Sequence, residues 1–362
     1  MSKNNSINFW RVIFTMSIVI FHFSGTYTQF NAAFHAKNGW RIAVEFFFVV
    51  SGFLLAYKCE HSDLTAWVYT KHRFKRFFPV YFVTLMMMTI LRIINNSMSL
   101  KQASSLIANL IDELMLLQGF AWHYVTTNGP SWYISALIIC GYFIFYLLKK
   151  HNDLFTRFIA PLTCVIAYSY LSIKMGCLSG NVYHQSDILG LSIAIIRGFA
   201  GMSAGVISYE LYKSLKKVDF TKLGTATARL VEIAGFIFVL AYTFFVGSTH
   251  MDFNFVIIFI VCTAVGFSRE KKSIIFNNKA IDYLAKISFS IYLIHSFVIS
   301  IFKKFYKPDQ FSWKMFILFL ISTIAAGAIC DFVCSKAVGF IEKKSKQHGG
   351  FFIRNKSMSK KA

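Results

Sequence analysis

Apolar runs of about 20 residues recur along the whole of this 362-residue chain, and that recurrence restricts its fold more than any other feature. A helix of about 20 residues matches the ~30 Å hydrocarbon thickness of a bilayer. A soluble chain of this length would break such runs with polar residues. Hydrophobic types make up 56% of the sequence and charged types 15%, so the chain is read as an all-α polytopic membrane protein. Ten transmembrane helices are expected, at about 8–27, 40–57, 78–95, 132–148, 158–173, 188–211, 231–247, 253–268, 287–303 and 313–334. The seventh and eighth runs carry few polar residues and read as scaffold. The net charge of +22 could mark a nucleic-acid binder in another context. Here the Lys and Arg residues sit in short clusters between apolar runs, as the positive-inside rule describes. That bias places both termini in the cytoplasm, removes nucleic acid as a partner and makes the lipid bilayer the environment, in the inner or plasma membrane. Residues 1–335 form the expected transmembrane domain and 336–362 a basic cytoplasmic tail, disordered from Lys343 onward. The seven cysteines show no CxxC pair, so neither a metal site nor a disulfide scaffold is expected.

The first run, FWRVIFTMSIVIFHF (9–23), carries Arg11 and His22. Eleven positions correspond to three helical turns plus ~20° and a separation of ~16 Å, so both side chains share one face, with Thr15 between them. Ionisable groups inside a span normally face a protein interior or a wet cavity. The residues alone allow two readings: a site, or an interfacial anchor beside a satisfied buried histidine. In the second run, WRIAVEFFFVVSGFLLAY, Glu45 reaches a depth similar to that of His22. A carboxylate there could fix the tautomer of the imidazole and strengthen it as a general base. Alternatively, Glu45 pairs with an arginine such as Arg41. Ser51-Gly52 then allows a close helix contact. After this run, Lys71, His72, Arg73, Lys75 and Arg76 precede Pro79, which suits the start of the next helix. Arg73 and Arg76, three positions apart, share a helical face and could grip phosphates, or could only set topology.

The connection 98–131 contains an amphipathic stretch, 106–117, expected to lie at the outer interface or to re-enter. It ends in WHYVTTNGPSWYIS, where Asn128-Gly129-Pro130 signals a turn. His123, Tyr124, Asn128, Trp132 and Tyr133 put aromatic and hydrogen-bonding groups at an outer mouth, suited either to a sugar site or to an aromatic belt. In the sixth run Arg197 needs a counter-charge, for which Asp187, Glu45 or an anionic ligand are candidates. The following GMSAG (201–205) matches a nucleophile elbow in spelling only, because the elbow requires a strand-turn-helix context. Helix packing through GxxxG accounts for its glycines. In the ninth run Ser288, Tyr292 and His295 form one polar stripe facing the bundle. Asp331 in the tenth is read as structural.

Taken together, these pieces resemble the integral-membrane acyltransferase 3 family. The likeness lies in Arg11 and His22 as R-x10-H, in VEFFFVVSGF (44–53), KHRFKRFFPVY (71–81), SWYISAL (131–137) and SFSIYLIH (288–295), in family order along nearly the whole chain. The resemblance implies transfer of an acyl group, usually acetyl from acetyl-CoA, to a hydroxyl of a surface or secreted glycan or a lipid-linked sugar. Acetyl-CoA would be a co-substrate, with no permanently bound cofactor. It implies His22 as the essential histidine, Arg11, Arg73 and Arg76 on the acyl-CoA side, and Glu45 at the family's acidic position. Oxyanion stabilisation would fall to Tyr292, His295 or Arg197, and Trp132 would belong to the acceptor site. The rival reading is a transporter or flippase whose aligned charges form a substrate or proton path. Against it stands the absence of repeat halves.

Overall fold

The computed structural model describes residues 4–95, 99–120, 126–178, 191–219, 221–268 and 278–358, with side chains except at 105, 222 and from 345 onward. The described residues are helical, with no strand and one isolated antiparallel bridge between Phe120 and Leu191. The first half comprises α1 (Asn5–Thr26), the short α2 (Gln29–Phe34), α3 (Ala43–Glu60), α4 (Ala66–Asn95) and α5 (Leu100–Leu114). Next come α6 (Trp132–Lys150) and α7 (Asn152–Leu154), which passes through a π-turn at Phe155–Ile159 into α8 (Ala160–Met175). The second half holds α9 (Ile193–Lys217), α10 (Lys222–Phe245), α11 (Asp252–Ser268), α12 (Lys279–Phe305) and α13 (Trp313–Met358). Each of the ten expected spans falls on one of these helices. Eight helical segments are both long and apolar enough to cross a bilayer. Of the other two, α11 has only 17 residues, and α9 is made less apolar by Arg197 and its serines and glycines. The all-α polytopic class is therefore observed, with eight spans rather than ten meeting both criteria among the described residues.

The packing is centred on α3 against α9, and glycine makes that contact possible. A Cβ built on Gly52 would overlap the carbonyl oxygen of Met202, and one on Gly205 would come within 2.6 Å of the Phe53 backbone nitrogen. With no side chains between them, the two backbones approach directly, as expected for small residues between apolar helices. A second layer contains α1, α12 and α13. Asn8 Nδ2 donates to Asp282 Oδ1 at 3.3 Å and Arg11 Nη2 to Ser288 Oγ at 3.3 Å, so α1 and α12 run parallel. Phe34 stacks edge-on against Trp313 at 5.1 Å, just past the far end of α1, while Lys286 at the near end of α12 approaches Asp331 at 3.6 Å. The helix α13 consequently runs back toward the start of α1. The beginning of the chain and the later part of α13 lie on one face of the bundle, called here the terminal face.

Polar side chains pin the start of α1. The Asn4 side chain accepts from the Ile7 backbone at 2.9 Å and donates to the Gly266 carbonyl at 2.9 Å. Buried Glu232 on α10 accepts from Ser6 and, at 3.1 Å, from the Trp10 indole, and pairs with Arg229 at 2.6 Å. The seventh span is thus more than apolar scaffold. Two other expectations are corrected. Pro79 lies inside the continuous helix α4 rather than at a helix start. It removes the partner of the Lys75 carbonyl, and Lys75 and Pro79 both line a cavity, where water can satisfy that oxygen. The tail expected to be disordered from Lys343 continues α13 as helical backbone to Met358. Its first residues include Lys343, Lys344, Lys346 and Gln347, which are good helix formers and extend an existing helix without a new nucleus.

The glycine contact sets a sign. Gly→Ala inside an ordinary helix is favourable by about 0.5–1 kcal/mol. Gly205→Ala should instead destabilise, by about 1–3 kcal/mol, because the new methyl overpacks against backbone. Gly25→Ala, where a Cβ meets nothing within 4 Å, should not. Thermal unfolding of both variants in detergent checks this, and an equal response would remove the packing argument.

Candidate active site

A cavity of about 550 Å³ opens at the terminal face between α1, α3, α4, α12 and α13. Its walls carry Arg11, Arg73, Lys75, Arg76 and Lys286 against two carboxylates, Asp331 and Glu342, so the space is electropositive. Arg73 Nη1 donates to Tyr69 Oη at 2.6 Å and its guanidinium lies 5.3 Å from the centre of the Phe77 ring, which holds it toward the cavity. Arg76 lies over the same ring at 5.9 Å. The helical spacing inferred for these two arginines is the spacing that α4 gives them. Deeper in, the walls become uncharged and aromatic: Tyr133, whose hydroxyl lies 3.2 Å from both Ser51 Oγ and the Phe47 carbonyl, and Tyr292.

A smaller cavity of about 80 Å³ follows, lined by His22, Arg41, Gly129, Pro130 and Trp132 among others. The two cavities share three wall residues: Ile18, Val44 and Tyr292. The face of α1 that carries Arg11 and Thr15 borders the large cavity, Ile18 borders both, and His22 borders the small one. The stripe identified in the sequence therefore runs from one cavity into the other. The His22 ring is 5.0 Å from the ring of His295, and neither of its nitrogens has a hydrogen-bond partner among the described residues. His295 is fully buried, and its Nδ1 contacts the Tyr292 carbonyl. A carbonyl only accepts, so Nδ1 carries a proton, and in the neutral ring Nε2 is then the acceptor, 3.5 Å from Ser296 Oγ. The Tyr292 hydroxyl donates to the Pro130 carbonyl at 2.7 Å.

The segment around Pro130 reaches this depth because its polar groups are satisfied by side chains. Thr127 donates through its backbone N–H and its hydroxyl to Glu113 at 2.7 and 2.6 Å. Tyr81 Oη donates to the Glu113 carbonyl at 2.5 Å, and Asn128 Nδ2 to the Leu293 carbonyl at 3.1 Å. Residues 127–131 therefore lie within the bundle. Asn128 and Tyr133, expected at an outer mouth, are a structural clamp and a wall of the large cavity. His123, Tyr124 and Asp187 lie outside the described residues.

Glu45 is not the partner of His22. It lies fully buried against Arg197, accepting from Nε at 2.8 Å, while Tyr168 Oη donates to its other oxygen at 2.7 Å. Arg197 Nη2 stands 2.7 Å from the same carboxylate oxygen but is not aligned to donate, so the contact there is one of charge alone. Both oxygens of Glu45 are engaged, and His22 is not among their partners. The physical reason is the central helix contact: glycines draw α9 onto α3, and Arg197, which cannot stand unpaired in apolar surroundings, takes the nearest carboxylate. Among the described residues, Glu45 is the counter-charge realised for Arg197. Arg197 borders neither cavity. Its guanidinium lies 5.3 Å from the Trp132 ring centre, so it reaches the small cavity only through that ring.

Sequence reasoning missed three contributors. Arg41 was weighed only as a partner for Glu45, yet it borders the small cavity beside His22. Tyr168 sits in an apolar run with nothing to single it out. Ser51 was read for packing alone, and its hydroxyl is the neighbour of Tyr133. A cation one turn before a buried carboxylate was the available signal for Arg41; the other two had none.

A family model described as an acyltransferase domain matches residues 4–333. The fold is that of a multi-pass membrane protein, and the chain belongs to the acyltransferase 3 family. No curated protein and no solved structure matches it.

Removing one member of a buried ion pair strands the other and costs about 3–5 kcal/mol. Glu45→Gln and Arg197→Gln should each lower thermal stability in detergent on that scale. The double variant Glu45→Leu/Arg197→Met should recover most of it. Loss of activity at full stability in Glu45→Gln would instead restore a direct role beside His22.

Proposed function

We propose that the protein takes an acyl group, acetyl in the first instance, from cytoplasmic acyl-CoA and transfers it to a hydroxyl of a cell-surface or secreted glycan or its lipid-linked precursor. The observation that carries this reading is the meeting of a basic cavity and a histidine-lined one inside the bundle at Ile18, Val44 and Tyr292. Coenzyme A bears several phosphates and cannot cross a bilayer, so its grip must lie where cations face the cytoplasm. Arg73, Arg76 and Arg11 offer charge-assisted contacts of that kind. The terminal face is then cytoplasmic and the membrane is the inner or plasma membrane. The pantetheine arm extends past Tyr133 and Ser51, and the thioester carbonyl arrives at the wall shared with the small cavity.

His22 then acts as general base. Its free ring nitrogen removes the acceptor hydroxyl proton as the oxygen attacks the thioester carbonyl carbon. The carbon–sulfur bond breaks, the carbon–oxygen bond forms, and the proton returns from His22 to the departing thiolate. With Glu45 committed to Arg197, the group facing the imidazole is His295, a neutral acceptor at Nε2 that can take a hydrogen bond from an Nε2–H or Nδ1–H of His22. Trp132 lines the small cavity beside His22 and flanks the point where the acceptor hydroxyl must arrive.

The test is the ester content of glycans from cells expressing wild type, His22→Ala and Arg73→Ala at matched membrane levels. Removing a general base is expected to lower ester by about 10²-fold or more. Arg73→Ala should weaken transfer chiefly at low donor concentration, which membranes supplied with graded acetyl-CoA will show. Full activity in His22→Ala overturns the base assignment, and absence of any acyl ester overturns the reaction.

A further inference from the structure

The small cavity is more than the place where His22 meets its substrates; its size and one missing side chain limit what can enter. A cavity of roughly 150 Å³ takes benzene, so about 25 Å³ accompanies each heavy atom and a space of ~80 Å³ admits about three. The space beside His22 is about 80 Å³. Two of its walls are held rigidly. Trp132 is clamped under Arg197, and Pro130 accepts from the Tyr292 hydroxyl at 2.7 Å. Gly129 also borders the space, and a Cβ there would meet no atom within 4 Å among the described residues. A methyl group at this position would meet open space instead of displacing a neighbour. On the side toward the large cavity the wall is thin and aliphatic: Ile18 and Val44, both buried and both bordering the two cavities.

We propose that Gly129 and Ile18 set the length of the acyl group this protein accepts. The assignment rests on the acyl-CoA reading of the large cavity. The acyl end of the thioester passes between Ile18, Val44 and Tyr292, and the whole acyl group, carbonyl included (about three heavy atoms in acetyl), occupies the space kept open by the absent side chain at Gly129. No atom beyond the carbonyl carbon takes part in bond making or breaking. The fit of the acyl tail accordingly selects among thioesters without altering the chemistry at His22. Shrinking the space at position 129 should exclude even the shortest acyl group, and thinning the wall at position 18 should admit a longer one.

The experiment measures binding of CoA, acetyl-CoA and butanoyl-CoA to the purified full chain in detergent, for wild type, Gly129→Ala and Ile18→Ala. One methylene in a closed pocket discriminates by roughly 10–200-fold, so wild type should prefer acetyl-CoA over butanoyl-CoA by about tenfold or more. Gly129→Ala should lose the advantage of acetyl-CoA over free CoA while still binding CoA. Ile18→Ala should bring butanoyl-CoA close to acetyl-CoA. Should Ile18→Ala lose CoA binding altogether, Val44→Ala on the same wall carries the same expectation. An unchanged acyl preference in variants that still bind CoA overturns the assignment while leaving the donor reading intact. Failure of wild type to bind CoA overturns the donor reading and this assignment with it.

Discussion

A bare charge in the apolar interior of a membrane protein is costly, and the buried pair of Arg197 with Glu45 is arranged around that cost. The pair lies beside the contact of α3 with α9, and that contact depends on Gly52, Gly201 and Gly205, whose Cβ atoms would collide with the facing helix. The dependence runs both ways. Without the glycines the carboxylate would not reach the guanidinium, and without the ion pair each helix would carry an unpaired buried charge. Tyr168 completes the arrangement by donating to the remaining carboxylate oxygen. Trp132, lying against the guanidinium, carries the order of this node to the small cavity.

The same economy of polar groups governs the segment between α5 and α6. Irregular backbone at depth in a bundle is tolerated where its N–H and C=O groups find partners in protein or cavity water. Glu113, Gln118, Ser135 and Ser192 provide such partners for Leu116, Gly119, Thr127 and Ser131. The result is a rigid turn, Gly129-Pro130-Ser131, packed against the middle of α12 rather than a loop at the surface. It forms the far wall of the cavity beside His22, and its proline carbonyl anchors Tyr292. Helices thus provide the stripe of Arg11, Ile18 and His22 on one side, and a re-entrant turn closes the other.

Two cavities back to back inside one bundle suit a reaction whose partners occupy different compartments. The basic one has room for a large anionic donor. The small one, with a histidine and an indole, has room for little more than the reacting groups. The two cavities share the wall formed by Ile18, Val44 and Tyr292, and under the proposed acyl-CoA reading that wall is what the thioester must pass.

Much was legible in the sequence for reasons local to it. The apolar runs determined an all-helical polytopic chain, because in lipid a helix is the open-chain structure that satisfies its own backbone. The eleven-residue spacing determined that Arg11 and His22 share a face, because helix geometry is periodic. The same rule placed Arg73 with Arg76 and Tyr292 with His295. Pairings between helices were a different matter. That Glu45 would meet Arg197, 152 positions away, and not His22 depends on which helices pack and how deeply, and no local period encodes that. The burial of Tyr133 in the large cavity, the return of Pro130 to the bundle interior and the vacancy at Gly129 were likewise decided by tertiary structure. Each is set by distances between segments remote in sequence, where close packing rather than pattern chooses the neighbour.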